Sequence, residues 1–446
     1  MPDLSGLPYA EIAFDHDGTP VDPGQVDDAL DAAAAPNSPA DDVVVVSHGW
    51  NDSADEARAL YAGFGANFAP ALTANGVLPG RRVVVVGLLW PSKEFADPRL
   101  VPTDAVIHGQ LDRVEALSGA DLSLARAQVP RLRASPAARR AFIDDVLAIL
   151  PPTATQEEAQ PAHVVQVSGD PQFLERLGTP LVAPPAAPRG GAADAIGDRP
   201  IDDRQSPAPD LPPGAALGIG GWLAGVEVGA VSLLNYTTYY LMKDRAARVG
   251  RAGLAPVLAR LRAALPNTAT HLVGHSFGAR LVTAAAADAA VDAVDSLSLL
   301  QAAFSHYAFA RGWDDGATRD GFFRAVVAAP APRVRGPTLV TFTRNDHAVG
   351  VAYAIASRVA GQIASAVGDA HDPYGALGAN GAQKTPEATV LRLIADGAPY
   401  AFAPGAVYNL DGNGTPGDPG VITGHTDVRR PEVAHAVAEA VRAAAR

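Results

Sequence analysis

Residues 271–282, HLVGHSFGARLV, decide the fold. Within them Gly274-His275-Ser276-Phe277-Gly278 fits the pattern G-x-S-x-G. An apolar triplet precedes it, and small and aliphatic residues, ARLVTAAAADAA, follow it. That order predicts a strand, a sharp turn and a helix, with the serine on the turn. Such a turn strains the serine backbone and projects its hydroxyl from the strand end, while the glycines let helix and strand approach closely. The plainer reading is a glycine-flanked turn in which Ser276 only caps the helix.

A second apolar run ends in a similar way. VVVV at 43–46 passes at once into Ser47-His48-Gly49-Trp50-Asn51. A continuous apolar run suits a strand buried on both faces, as in a parallel sheet covered by helices. Ligands bind at the carboxyl ends of such strands, so the 47–51 loop is expected to line a site; a plain tight turn would need only Gly49. Other strand candidates are 81–90, 270–274, 296–303, 338–343 and 406–410. Helical patterns lie between several of them. Ser53 with Glu56 forms a capping-box signature, and Leu60, Tyr61, Phe64 and Phe68 then share a face. Leu254, Val257, Leu258, Leu261 and Leu265 recur at helical spacing before the 270–274 strand. A last helix opens at Pro431, with Val433, Val437 and Val441 every fourth residue. The alternation predicts an α/β fold, a mostly parallel central sheet with helices on both faces.

The spacing breaks once, where about 180 residues separate two strands, far more than one crossover needs. Residues 1–92 and 214–446 are therefore expected to form the core, and 93–213 a large cap-like insertion, Pro/Ala/Gly-rich and partly flexible from 151. The apolar stretch 215–243 approaches spanning length, but Glu227 in its middle and its repeated glycines oppose a membrane span. A buried helix or a cover over a site suits it better. As a cover, Gly220, Gly221 and Gly225 would hinge it, Trp222, Leu223, Leu233 and Leu234 would touch an acyl chain, and Tyr236, Tyr239 and Tyr240 would line the rim with hydroxyls toward water.

Composition removes whole classes of function. The 446 residues carry a net charge of -13 and no Lys/Arg-rich run, which argues against a nucleic-acid partner. There is no cysteine, so disulfides, thiolate metal sites and cysteine nucleophiles are excluded. The opening residues, MPDLSGLPYAEIAF, lack the basic segment and apolar core of a signal peptide, and a cytoplasmic location is the expectation.

A serine hydroxyl is a weak nucleophile that needs a base, a group to orient the base, and donors for an oxyanion. On a strand–turn–helix elbow the partners follow in the order serine, acid, histidine. Asp346 follows the strand at 338–343, and His425 precedes the last helix, so both fit by position. Competitors are His347, His371 and His435 for the base and Asp411 and Asp427 for the acid; His435 is expected on a helix surface. The oxyanion donors would be the backbone N–H groups of Phe277, just after the nucleophile, and of Trp50, in the earlier loop. Gly49 would turn the backbone inward and His48 would pin the loop. Trp50 would also wall an acyl pocket.

On SHGWND (47–52), VGHSFGARL (273–281), TRNDHAVG (343–350) and GHTDVRRPEV (424–433), in that order, the chain resembles an α/β-hydrolase-fold serine hydrolase of the esterase/lipase kind. The resemblance covers about 1–92 and 214–446 and leaves out the insertion, which bears on substrate choice. It implies cleavage of small-molecule or lipid carboxylic esters through Ser276, His425 and Asp346, with no cofactor or metal. Thioesterases and peptidases share the fold and triad. Two other classes are weaker. Asp15 and Asp17 in DHDGT (15–19) fit the nucleophile motif of haloacid-dehalogenase-like phosphatases, but no later acidic cluster or placed lysine completes it, and Asp17-Gly18 suits a hairpin turn. DGNG (411–414) only partly matches a Ca²⁺ loop. A non-catalytic binding module would leave the triad residues without a task.

Overall fold

The valine-only runs at 43–46 and 83–86 make two adjacent inner strands of the sheet. The computed structural model describes residues 3–36, 38–73, 77–92, 103–151, 172–178, 221–292, 294–314, 316–346, 375–394, 397–415 and 417–445. Its strands are β1 (Asp3–Leu4), β2 (Leu7–Ala13), β3 (Asp42–Ser47), β4 (Val83–Leu89), β5 (Ala269–His275), β6 (Ser296–Leu300), β7 (Thr338–Phe342), β8 (Ala388–Arg392) and β9 (Val407–Asp411). They form one sheet in the order β1-β2-β4-β3-β5-β6-β7-β9-β8. Every neighbouring pair is parallel except β1–β2. All residues of β3, β4, β5 and β6 are buried, which is why these strands show no polar alternation.

The chain leaves β3 in one direction, to β4, and β5 in the other, to β6. Right-handed crossovers place the intervening helices on opposite faces. The helix Ala54–Thr73 packs with Pro431–Ala444 on one face, over Val44, Val46, Val83 and Val85. On the other lie Gly24–Ala33, the π-helical turn Val249–Leu254 that runs into Ala255–Ala264, and Phe277–Ala287. The capping box at the head of Ala54–Thr73 forms in both directions: the Ser53 N–H donates to Glu56 Oε2 (2.7 Å), and the Glu56 N–H to Ser53 Oγ (3.3 Å).

The chain divides into two compact units, 1–93 with 150–166 and 238–446, and 94–149 with 167–237. The first carries the sheet. In the second, Thr103 and Ser135 cap the helices Asp104–Ser118 and Pro136–Ala148, and Ile107, Leu111, Val114, Phe142 and Ile143 are fully buried. Phe173–Leu177 runs so close to the start of the helix Gly221–Arg248 that a Cβ on Gly229 would stand 1.8 Å from the Leu174 carbonyl oxygen. Glu227 is buried and paired with Arg133. Gly225, expected as a hinge, lies inside this helix, of which Gly221, also expected as a hinge, is the first residue. Leu233, Leu234, Tyr236, Tyr239 and Tyr240 are all buried, and the Tyr239 hydroxyl donates to the Ala303 carbonyl (3.2 Å) where water was expected. Gly220 and the side chains of Trp222 and Leu223 lie outside the described residues. Among the described residues no helix is long and apolar enough to cross a membrane.

Candidate active site

Ser276 stands between β5 and the helix Phe277–Ala287 with φ 56° and ψ -120°. A non-glycine residue held there costs on the order of 1–3 kcal/mol, so the surroundings must impose it. Three hydrogen bonds do. The Ser276 N–H donates to the Leu300 carbonyl (3.0 Å), and its own carbonyl accepts from the N–H groups of Ala279 (3.2 Å) and Ala303 (3.3 Å). The flanking glycines are required by proximity. A Cβ on Gly274 would meet Ala279 Cα at 2.4 Å, and one on Gly278 would meet the His48 carbonyl oxygen at 2.2 Å.

The parallel register sets Ser47 beside Gly274, which brings the 47–51 loop to the elbow. A Cβ on Gly49 would lie 2.8 Å from Ser276 Cβ. His48 is 1% exposed and fully engaged. Its N–H donates to the Tyr61 hydroxyl (2.9 Å), its Nε2 accepts the Trp90 N–H (3.3 Å), and the remaining Nδ1–H faces the Gly49 carbonyl (2.9 Å). Trp90 stacks on the ring and donates its indole N–H to the His48 carbonyl. His48 thus pins the loop. The Trp50 ring leans on Phe277 (5.4 Å between centroids) and Tyr239 (5.9 Å). Phe277 opens its helix, where first-turn N–H groups have no acceptor within the helix.

Asp346 follows β7 and is 2% exposed; its Oδ2 lies 2.8 Å from His425 Nδ1. His425 comes from the loop between β9 and the last helix, so two strand ends supply the pair. Asp427 braces that loop by accepting from the N–H and hydroxyl of Thr423. Asp411 is likewise engaged, accepting from the backbone N–H and side-chain amide of Asn413. His435 corrects the sequence reading: it is 1% exposed, not on a helix surface, and bonds the Ala398 carbonyl through Nε2 (2.6 Å). The last helix is buried nearly all round, so none of its faces is left for a surface histidine. His347 and His371 lie outside the described residues.

Burial works to lower the His425 pKa. The charge and hydrogen bond of Asp346, with the charge of Asp52, outweigh it and raise the pKa above the usual 6.5. His275, which sequence reasoning passed over, has the opposite fate. Burial, and then the neighbouring charge of His425, push it down to about 4, so it is neutral near pH 7. Its ring lies 4.7 Å from that of His425, and its Nε2 bonds the His425 carbonyl at 3.0 Å. Gln301 was also missed; its Nε2 donates to Asp346 Oδ2 (2.9 Å). The only signals were a polar residue in a wildcard position of the motif and an amide just past an apolar strand.

The arrangement holds a hydroxyl on a strained elbow and a carboxylate-bound imidazole at the same end of one sheet. The rival motif is accounted for by its own turn: Asp15 Oδ1 accepts from the N–H groups of Asp17 and Thr19. Among the described residues no group of three or more His, Asp or Glu is arranged to hold a metal ion.

A family model described as alpha/beta hydrolase fold matches residues 246–349, from the end of the helix Gly221–Arg248 through β5, the elbow, β6 and β7 to just beyond Asp346. No curated protein and no solved structure matches the chain. The match supports a hydrolase, and it falls on the part of the sheet that carries the elbow. With a mostly parallel sheet flanked by helices on both faces, the chain is an α/β-hydrolase-fold protein.

Proposed function

We propose that the protein is a metal-independent serine hydrolase of carboxylic esters, acting on small-molecule or lipid esters without a cofactor. The observation that carries this reading is the Asp346–His425 hydrogen bond, made between the loops after β7 and β9. Ser276 Oγ attacks the ester carbonyl while His425 takes its proton. Asp346 holds the imidazole with its proton on Nδ1 and stabilises the imidazolium. The N–H groups of Phe277 and Trp50 stabilise the oxyanion. The C–O bond breaks, the alcohol leaves with the proton from His425, and the acyl group stays on Ser276. Water, deprotonated by His425, then releases the acid. Thioesters and amides pass through the same steps, so the ester assignment goes beyond the fold.

A fluorophosphonate probe, followed by peptide mapping, tests the nucleophile, with labelling expected at Ser276. p-Nitrophenyl esters of increasing chain length, assayed with EDTA, test the reaction. Labelling at Ser47, which also ends a strand, or activity abolished by EDTA, would overturn the reading.

A further inference from the structure

The segment that follows β6 touches both halves of the site. Leu300 accepts the Ser276 N–H, and Ala303 donates to the Ser276 carbonyl. Between them Gln301 is fully buried with φ 45°, a conformation that a residue of this kind adopts only when its surroundings fix it. Its amide orientation is determined. Nε2 faces the Asp346 carboxylate (2.9 Å) and the Gly378 carbonyl (3.0 Å), both of which only accept. Oε1 accepts the Thr341 hydroxyl proton (3.0 Å), and the same hydroxyl oxygen accepts the Gln301 backbone N–H (3.0 Å).

We infer that Gln301 is a positioning residue for the acid: it fixes the Asp346 carboxylate toward His425 and tempers its hold on the imidazole, on the same segment that holds the Ser276 backbone. The inference rests on the triad reading above. A carboxylate that shares its lone pairs with a neutral donor has less negative charge to offer the imidazolium. Removing that donor therefore raises the His425 pKa and loosens the carboxylate. The charged and titratable groups facing His425 are Asp346 after β7, His275 at the end of β5 and the more distant Asp52 beyond β3.

The test uses Gln301→Met, which keeps the length without donors, and Gln301→Asn, whose amide is too short to reach Asp346 and which tolerates positive φ where methionine does not. Thr341→Val is the control: it removes the hydroxyl bonded to Gln301 but leaves the donor on Asp346. For p-nitrophenyl ester hydrolysis both Gln301 variants should lose roughly 10- to 100-fold in kcat, the scale of an ångström misplacement, with KM little changed. The acid limb of kcat/KM should move to higher pH in both, and stay in place in Thr341→Val. An unmoved limb in a folded Gln301 variant, or an equal shift in Thr341→Val, overturns the inference and leaves the triad reading standing. Failure of the wild-type protein to label with fluorophosphonate overturns the triad reading, and this inference with it.

Discussion

At the scale of single residues, charge decides when the site works. In the proposed mechanism only neutral His425 accepts the serine proton, so activity should rise with pH through the His425 ionisation. Asp346 raises that pKa, so the midpoint should lie above 6.5. His275, at about 4, adds no second step near neutrality. Asp346→Asn should move the midpoint down and cost on the order of 10⁴ in kcat, by freeing the wrong tautomer. Asp52→Asn should move it down by less, with little loss of rate at pH 8; a pH–rate profile of each variant checks both. Ser276→Ala and His425→Ala should each remove nearly all turnover and to a similar extent, because the group acts as a unit. Equal activity of His425→Ala and wild type would remove the base from the scheme. The places of Ser276 on its turn, Asp346 after β7 and His425 before the last helix were legible because each stands beside a recognisable element. Gln301 and His275 were not, because what an amide or a neutral imidazole does depends on which strand ends converge on it.

At the scale of elements, close approach replaces charge. Gly274→Ala and Gly278→Ala would each drive a methyl into backbone, and the glycines' contacts join β5, its helix and the 47–51 loop. Each should destabilise by several kcal/mol, of the order of overpacking a filled core, and lose labelling at Ser276 together with stability. Gly109→Ala is the contrast. It lies inside the helix Asp104–Ser118 with nothing within 4 Å of the new methyl. It should stabilise by roughly 0.8–1 kcal/mol, from helix propensity alone, as urea unfolding would show. The six apolar runs were legible as strands because burial on both faces demands them. β8 was not: it is an edge strand with Val390 62% exposed, and its apolar residues follow neither a continuous buried run nor a strict alternation. The helix Pro431–Ala444 showed its valine spacing but not its depth. Alanines between the valines let sheet and neighbouring helix approach from several sides, and His435 and Glu439 are buried along with them.

At the scale of the whole molecule, the buried His275 links stability to acidity. Its folded pKa of about 4 lies below the usual 6.5, so the neutral form belongs to the folded state. Its contribution is complete above pH 6.5 and is lost as pH falls toward 4, while the unfolded chain takes up a proton that the folded chain refuses. The loss approaches ~3 kcal/mol at the acid end. The raised pKa of His425 acts in the opposite sense, with its stabilising effect complete below 6.5 and lost as pH rises through its folded value. His275→Gln should flatten the decline between pH 7 and 4.5 in urea titrations, and an unchanged decline would remove His275 as its cause. The central pairing of β3 with β5 has another kind of consequence. Its registered partners Asp42 and Ala269 are separated by β4 and the long stretch of chain between β4 and β5. Closing a chain loop grows only logarithmically with its length, so doubling such a segment costs about 0.6 kcal/mol. Chain length between β4 and β5 is therefore nearly neutral to the sheet's stability. A lineage can lengthen, shorten or exchange that segment while the elbow and its partners keep their places, and the penalty is felt in how long the chain takes to fold.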